Sequence, residues 1–383
     1  MRLLLTVLIS LTTFINYSQD FLWARQFEGY ENEISKKIEI DDNGNSYIFG
    51  TSGSEIFDID PTNGIEIINN TTNNNGSSLK GLFLTKLDSD GNYIWGLTFN
   101  TFSYYDEAID MKIGSDNNIY LLYKTKYYEQ SFNQEVQGFG VKKISFSGQV
   151  LLTKNLTNLA SPSIYNVFNA SSFDLDSQNN IYICGFFHNR LKLHQTDQNL
   201  DLISNRDSFL LKINNNGNLI WARKFDINTA NDHFEDINVS NDDNINMLLS
   251  KGDNNSLPQM GINILKINSN NGSIIWQKEL LNQLPLAFHR NNNNELLIIG
   301  RGLSSSTNPI LDVDPSPNSI LIPPHLYLLW LDSDGNYIDV KSFLHTGYNI
   351  IFDDLTVDTE NNTYLFGYFK FWFDADPSLN NFI

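Results

Sequence analysis

Cysteine is nearly absent from this chain of 383 residues: its one thiol, Cys184, lies inside the apolar run IYICGFF. No internal disulfide can form, so stability must come from burial in a sizeable core, with Cys184 as a buried structural thiol. Histidine is scarce as well. The six residues His188, His194, His233, His289, His325 and His345 form no HExxH and no other close pair at metal-binding spacing. A Gly-x-Ser-x-Gly elbow, a Walker loop and a Gly-x-Gly-x-x-Gly turn are all missing, and with them the motif-level signs of nucleophilic and nucleotide chemistry. Basic side chains are outnumbered, 25 Lys and Arg against 44 Asp and Glu, for a net charge of −19. That balance opposes nucleic-acid backbones, which need clustered cations, and opposes docking on anionic lipid. No stretch shows a helical spacing of apolar residues. Past residue 15 no apolar run reaches the 18 or so residues of a membrane helix, so the mature chain is not expected to span a membrane.

The amino terminus has the form of a signal peptide. Arg2 supplies the positive start, residues 3–15 (LLLTVLISLTTFI) the apolar core, and Asn16, Tyr17 and Ser18 a small-residue cleavage region. The expected division is a signal peptide over residues 1–19 and one repeat domain over 20–383, secreted and extracellular or at the cell surface.

What is abundant is aromatic residues (26 Phe, 17 Tyr, 6 Trp) and asparagine, and both recur in order. Residues 81–99, GLFLTKLDSDGNYIWGLTF, read as two strands joined by a tight turn. The pattern returns at 209–225, 262–280 and 327–343, with a degenerate copy from Val141, and residues 21–27 (FLWARQF) repeat its second arm alone. Between these hairpins lies a second type, a strand, an Asn-rich turn and a more apolar strand. Its last turn residue falls at Asn45, Asn118, Asn180, Asn244, Asn294 and Asn362. Asn tolerates left-handed backbone angles, which suits such turns. Two hairpins make four antiparallel strands per period, the unit of a β-propeller blade. The expected fold is all-β, a single β-propeller of about six four-stranded blades. Three strands precede the first Lys-Leu-Asp arm and five four-strand periods follow, one strand short of six blades, so the ring is expected to be incompletely closed.

Two motifs recur within this frame. Trp95, Trp221 and Trp276 each stand four residues after a turn glycine, and Trp23 occupies the equivalent place in the first unit. A large ring at one place in every blade suits packing between sheets better than a sugar-stacking platform. The second motif is Asp-x-Asp-Pro, at Asp58 and Asp60, Asp312 and Asp314, and Asp374 and Asp376. Carboxylates two residues apart on an extended segment point the same way, which suits a hard cation such as calcium. The simpler reading is a turn in which Asp accepts backbone hydrogen bonds and Pro ends the strand. These six are the candidate metal ligands, with the turn preferred. No catalytic residue and no cofactor other than calcium is singled out.

The order FLxKLDxxGNxIWxxxF, then DxxNNIYLxGxF, then FDxDP resembles the SBBP-type β-propeller repeat of secreted and surface proteins of Gram-negative bacteria. The resemblance implies a secreted propeller and carries no shared active site. The preferred function is a non-enzymatic binding or scaffold module, its partner an unidentified protein or polysaccharide. A glycan-active lyase or hydrolase with an axial pocket, or a carbohydrate-binding lectin, stands as the alternative. Asp, Glu, His and Tyr gathered at one mouth of the channel would favour the enzyme, and exposed rings in several equivalent grooves the lectin.

Overall fold

The computed structural model describes residues 23–69, 81–99, 106–129, 134–157, 168–195, 198–225, 233–240, 242–251, 261–303, 310–343 and 350–369. Among them there is no helix long and apolar enough to cross a membrane. The signal-peptide segment, Asp374 and Asp376 lie outside these residues.

Five four-stranded antiparallel sheets follow one another along the chain, each a meander. The first holds Glu33–Ile40, Ser46–Ser52, Gly81–Leu87 and Tyr93–Phe99. The second holds Glu107–Ile113, Asn118–Glu129, Gln134–Ser145 and Val150–Thr157. The third comprises Phe168–Leu175, Ile181–Gln195, Gln198–Ile213 and Leu219–Phe225. The fourth comprises His233–Val239, Ile245–Lys251, Gly261–Ile267 and Ile274–Leu281. The fifth comprises Gln283–Arg290, Leu296–Gly302, Leu326–Leu331 and Tyr337–Phe343. A two-stranded sheet, Ile350–Val357 with Thr363–Phe369, comes last. Successive first strands pack against one another from the first sheet to this pair. All-β structure built from repeated four-stranded antiparallel sheets is consistent with a β-propeller.

The turns explain why the sheets form where they do. In the turn at 88–92 the backbone N–H of Gly91 donates to Asp88 and that of Asp88 to Asn92, while the Asp88 carboxylate takes the N–H groups of Asp90 and Asn92. Asp41, Asp176, Asn291, Asp332 and Asp358 repeat this arrangement. An Asp or Asn at the turn's first place therefore closes the hairpin locally. The left-handed residue follows at Gly44, Asn117, Asn179, Asp243, Asn294 and Asn361. Five of these stand one place before the turn residue read from the sequence. Asn294 itself is left-handed, so the fifth unit is displaced by one residue and Glu295 is the true counterpart of Asn362.

The core lies between adjacent sheets. Tyr47, Phe49, Leu82 and Leu84 of the first sheet meet Met111, Ile119 and Leu121 of the second, and equivalent clusters follow. Trp221 closes one of them: it is 6% exposed, donates its indole N–H to the Ser269 carbonyl at 3.1 Å and lies over Gly272 of the next sheet. That turn glycine has φ +71, and a Cβ there would lie 2.6 Å from Arg223 and 3.0 Å from the indole. Trp95 over Gly148, Trp276 over Gly335 and Trp23 over Gly91 repeat the contact. Cys184 is buried and unpaired with another cysteine, and its thiol is pushed up by burial. Residues 23–27 form no ladder despite their strand-like pattern; the strand-forming part beyond them is Glu28–Gly29, which pairs with Ile56–Asp58.

Candidate functional site

Each first strand carries a β-bulge, between Ser35 and Lys37, Ala108 and Asp110, Ala170 and Ser172, Phe234 and Asp236, Pro285 and Ala287, and Phe352 and Asp354. A bulge re-aims the side chains that follow it. Strand alternation then sets two tiers of residues on the side where the first strands face one another. One tier is Lys37, Asp110, Ser172, Asp236, Ala287 and Asp354. The other is Glu39, Lys112, Asp174, Asn238, His289 and Thr356.

Charges of opposite sign in the two tiers act on one another. Burial alone would lower the Lys112 ammonium, but the fields of Asp110, Asp174, Glu39 and Asp236 outweigh it and hold it above its ordinary value. Burial raises Glu39 to about 6 and Asp236 to about 6, in both cases against the downward pull of Lys112. Burial lowers His289 to about 4, helped by Lys112 and opposed by Asp354.

Polar groups of these tiers and their neighbours tie several of the first strands together. Asp110 accepts the backbone N–H of Phe173 at 3.4 Å, and Asp174 that of Val239 at 2.7 Å. The Ser172 hydroxyl lies 2.8 Å from Asp236 and 3.2 Å from Asp110. One hydroxyl has one proton for two carboxylates, so Ser172 donates to only one of them at a time. Arg290 donates to the Asn238 side chain at 2.8 Å and to the Val239 carbonyl at 3.1 Å. Lys37 meets Asp354 at 3.1 Å and so joins the first strand of the first sheet to that of the last pair. None of these residues is singled out by motif. The signal that could have found them is positional: they stand two and four places before the first turn residue of every Asn-rich hairpin.

The Asp-x-Asp-Pro segments lie elsewhere, between the second and third strands of their sheets. Asp58 accepts the N–H groups of Asp60 at 3.1 Å and Glu66 at 3.0 Å, while Asp60 accepts the Thr62 N–H at 2.8 Å. Asp312 and Asp314 repeat this with Asp314, Ile320 and Ser316. Each motif thereby opens a short hairpin, Ile56–Asp58 with Ile67–Asn69 and Leu311–Asp312 with Leu321–Ile322. One carboxylate oxygen of each Asp is already occupied by the turn. Asp58 and Asp60 also border an open polar pocket of about 600 Å³ with Arg25, Glu28, Asn63 and Asn92. Among the described residues no three His, Cys, Asp or Glu side chains converge closely enough to hold a metal ion. The structure thus brings together a polar set on the first strands that the motifs did not name, and keeps the two described Asp pairs apart from it.

A comparison with curated proteins returns no match. Among solved structures, the crystal structure of a protein of unknown function from Bacteroides caccae is similar at 12% identity and a TM-score of 0.37, over 76% of this chain and 92% of that one. The family resemblance carried by the repeated motifs is met at residues 22–58, which match the model of SBBP, a beta-propeller repeat.

Proposed function

We propose that this chain is a secreted or surface-associated β-propeller of six blades that acts as a non-enzymatic binding or scaffold module for a protein or polysaccharide. The observation that carries the reading is the use made of the axial carboxylates. Asp110, Asp174, Asp236 and Asp354 each hold a group on a neighbouring first strand, so the polar axis fastens blade to blade. Groups engaged in this way make a rigid frame, leaving recognition to the surface around it. The repeated tryptophans lie over turn glycines rather than in open grooves, which speaks against a lectin built on them. A glycan-active enzyme is the second reading, favoured by the two carboxyls at about 6 beside His289 and Lys112, since displaced titrations gather at catalytic sites. Incubation with a polysaccharide panel, scored for both retention and released product, separates the two. Retention without product is expected. Product formation abolished in Asp236→Asn or Glu39→Gln would establish the enzyme instead.

A further inference from the structure

Four of the complete sheets carry a lysine at one place on the third strand, and its surroundings repeat. Lys86, Lys143, Lys212 and Lys266 stand across the ladder from Tyr47, Tyr120, Tyr182 and Asn246. Their ammonium groups lie 4.0, 2.7, 3.5 and 3.5 Å from Asp41, Asp116, Asp176 and Asp242. The first three also sit over the tyrosine rings, at 4.9, 5.2 and 4.8 Å from the centroids. Lys86 and Lys212 donate to the Phe146 and Ser269 carbonyls of the next sheet, the same oxygens that take the indole N–H of Trp95 and Trp221. Residues four and two places before the lysine share its face. Leu82 and Leu84 thus belong to the cluster that covers Met111, Phe139 and Val141 to that over Phe173, and Ile262 and Ile264 to that over Phe288.

The final pair of strands has this socket without the lysine. Tyr364 donates to Asp358 at 3.0 Å, as Tyr47 does to Asp41 at 2.9 Å, yet Tyr364 is 50% exposed where Tyr47, Tyr120 and Tyr182 are 0%. The Ser89 carbonyl takes the Trp23 indole at 3.4 Å, and Arg25 reaches the Gly91 carbonyl at 2.6 Å, so residues 23–27 stand where the fourth strand of a preceding blade would. Ile38, counterpart of Met111, Phe173 and Phe288, is 55% exposed against 0%, 0% and 3%. Among the described residues no strand pairs with the outer edge of Thr363–Phe369.

We propose that this edge binds one extended polypeptide segment of the third-strand type, with apolar residues four and two places before a lysine, in the slot between Thr363–Phe369 and residues 23–27. Its lysine meets Asp358, the Tyr364 ring and the Ser89 carbonyl, and its two apolar side chains cover Ile38. Backbone pairing supplies affinity, as in strand addition to any open edge, and the acidic socket supplies register and choice. The proposal rests on the propeller reading, because it takes the last pair and residues 23–27 as parts of one blade.

The test is a labelled peptide, GLFLTKLD, copied from residues 81–88 and titrated into the whole protein. One-to-one binding is expected, with a higher melting temperature and new hydrogen-exchange protection at 363–369 and 23–27. The same peptide with glutamate in place of lysine should bind at least tenfold more weakly, and Asp358→Lys should reverse that order. No binding, equal binding of the two peptides, or protection confined to other strands overturns the proposal. So does a dimer of the protein alone that protects this edge, which would put a second copy there. Asp358 also holds its turn, but the two peptides are compared on the unaltered protein, so a misfolded variant leaves that comparison intact. The polysaccharide screen does not involve this edge, and its outcome is read separately.

Discussion

Single side chains carry much of the contact between sheets, and Trp221 is the clearest case. Its ring is buried beside Tyr182 at 6.1 Å, over a glycine that has no room for a Cβ, with its one donor satisfied. Truncation leaves a cavity that two β-sheets cannot close, so Trp221→Ala should cost about 3–5 kcal/mol in denaturant unfolding. A loss under about 1 kcal/mol would mean that the ring packs against solvent. The polar groups of the first strands predict a pH signature of two opposed signs. Glu39 and Asp236 are raised by burial to about 6, so their contribution is fully present below the unfolded value, near 4, and is lost as pH rises through 6. His289 is lowered by burial to about 4, so its contribution is present above about 6.5 and lost as pH falls through 4. Melting temperatures at pH 5 and pH 7.5 separate the two. Asp236→Asn should reduce the advantage of pH 5 relative to the parent, and His289→Gln should increase it. Differences unchanged in both variants would show that these groups are open to bulk water.

At the scale of the element, hairpins are what the chain repeats, and each is closed by its own first turn residue. The Asp-x-Asp-Pro segments follow the same rule, with carboxylates accepting backbone N–H groups two and eight residues on. We therefore expect melts with millimolar calcium and with chelator to coincide nearly. A calcium-dependent rise of several degrees would show a cation bound to the folded state alone and make Asp58, Asp60, Asp312 and Asp314 ligands. The hairpins were legible in the sequence because turn chemistry is local: Asp88-Ser-Asp-Gly-Asn names its own geometry. The polar set of the first strands was not legible, because Asp110, Asp174 and Asp236 acquire their meaning from neighbours about 60 residues away along the chain. Their spacing from the turn was present in every unit, but polar alternation on a strand also describes any solvent-facing sheet. The strand-like pattern of residues 23–27 was legible in its tryptophan, which docks on Gly91, and the absence of a ladder there agrees with a second arm that stands without its pairing arm. Packing of a ring needs only the next turn, whereas a ladder needs a strand alongside.

For the whole molecule the weakest boundary should lie between the last pair and the first sheet. Elsewhere adjacent first strands are held by buried apolar clusters, with Met111, Phe173, Ile237 and Phe288 all at 3% exposure or less. Here the corresponding Ile38 is open, and the described link is the ion pair of Lys37 with Asp354, whose side chains are 26% and 53% exposed. An exposed pair of this kind contributes about 0–1 kcal/mol and is screened by salt. Burial of an isoleucine contributes more, about 1.5–3 kcal/mol, so the missing apolar cover outweighs the ion pair that is present. The first opening on the way to unfolding should therefore separate strands Ile350–Val357 and Thr363–Phe369 from the first sheet while the other four sheets stay intact. Native-state hydrogen exchange should find amides in 350–369 and 33–40 exchanging through a smaller free energy than those in the third and fourth sheets. Lys37→Met should widen that gap only slightly, and less in 0.5 M salt than in low salt. Uniform exchange across all sheets would mean that the boundary is as well packed as the others, and that Ile38 is covered in solution by part of the chain.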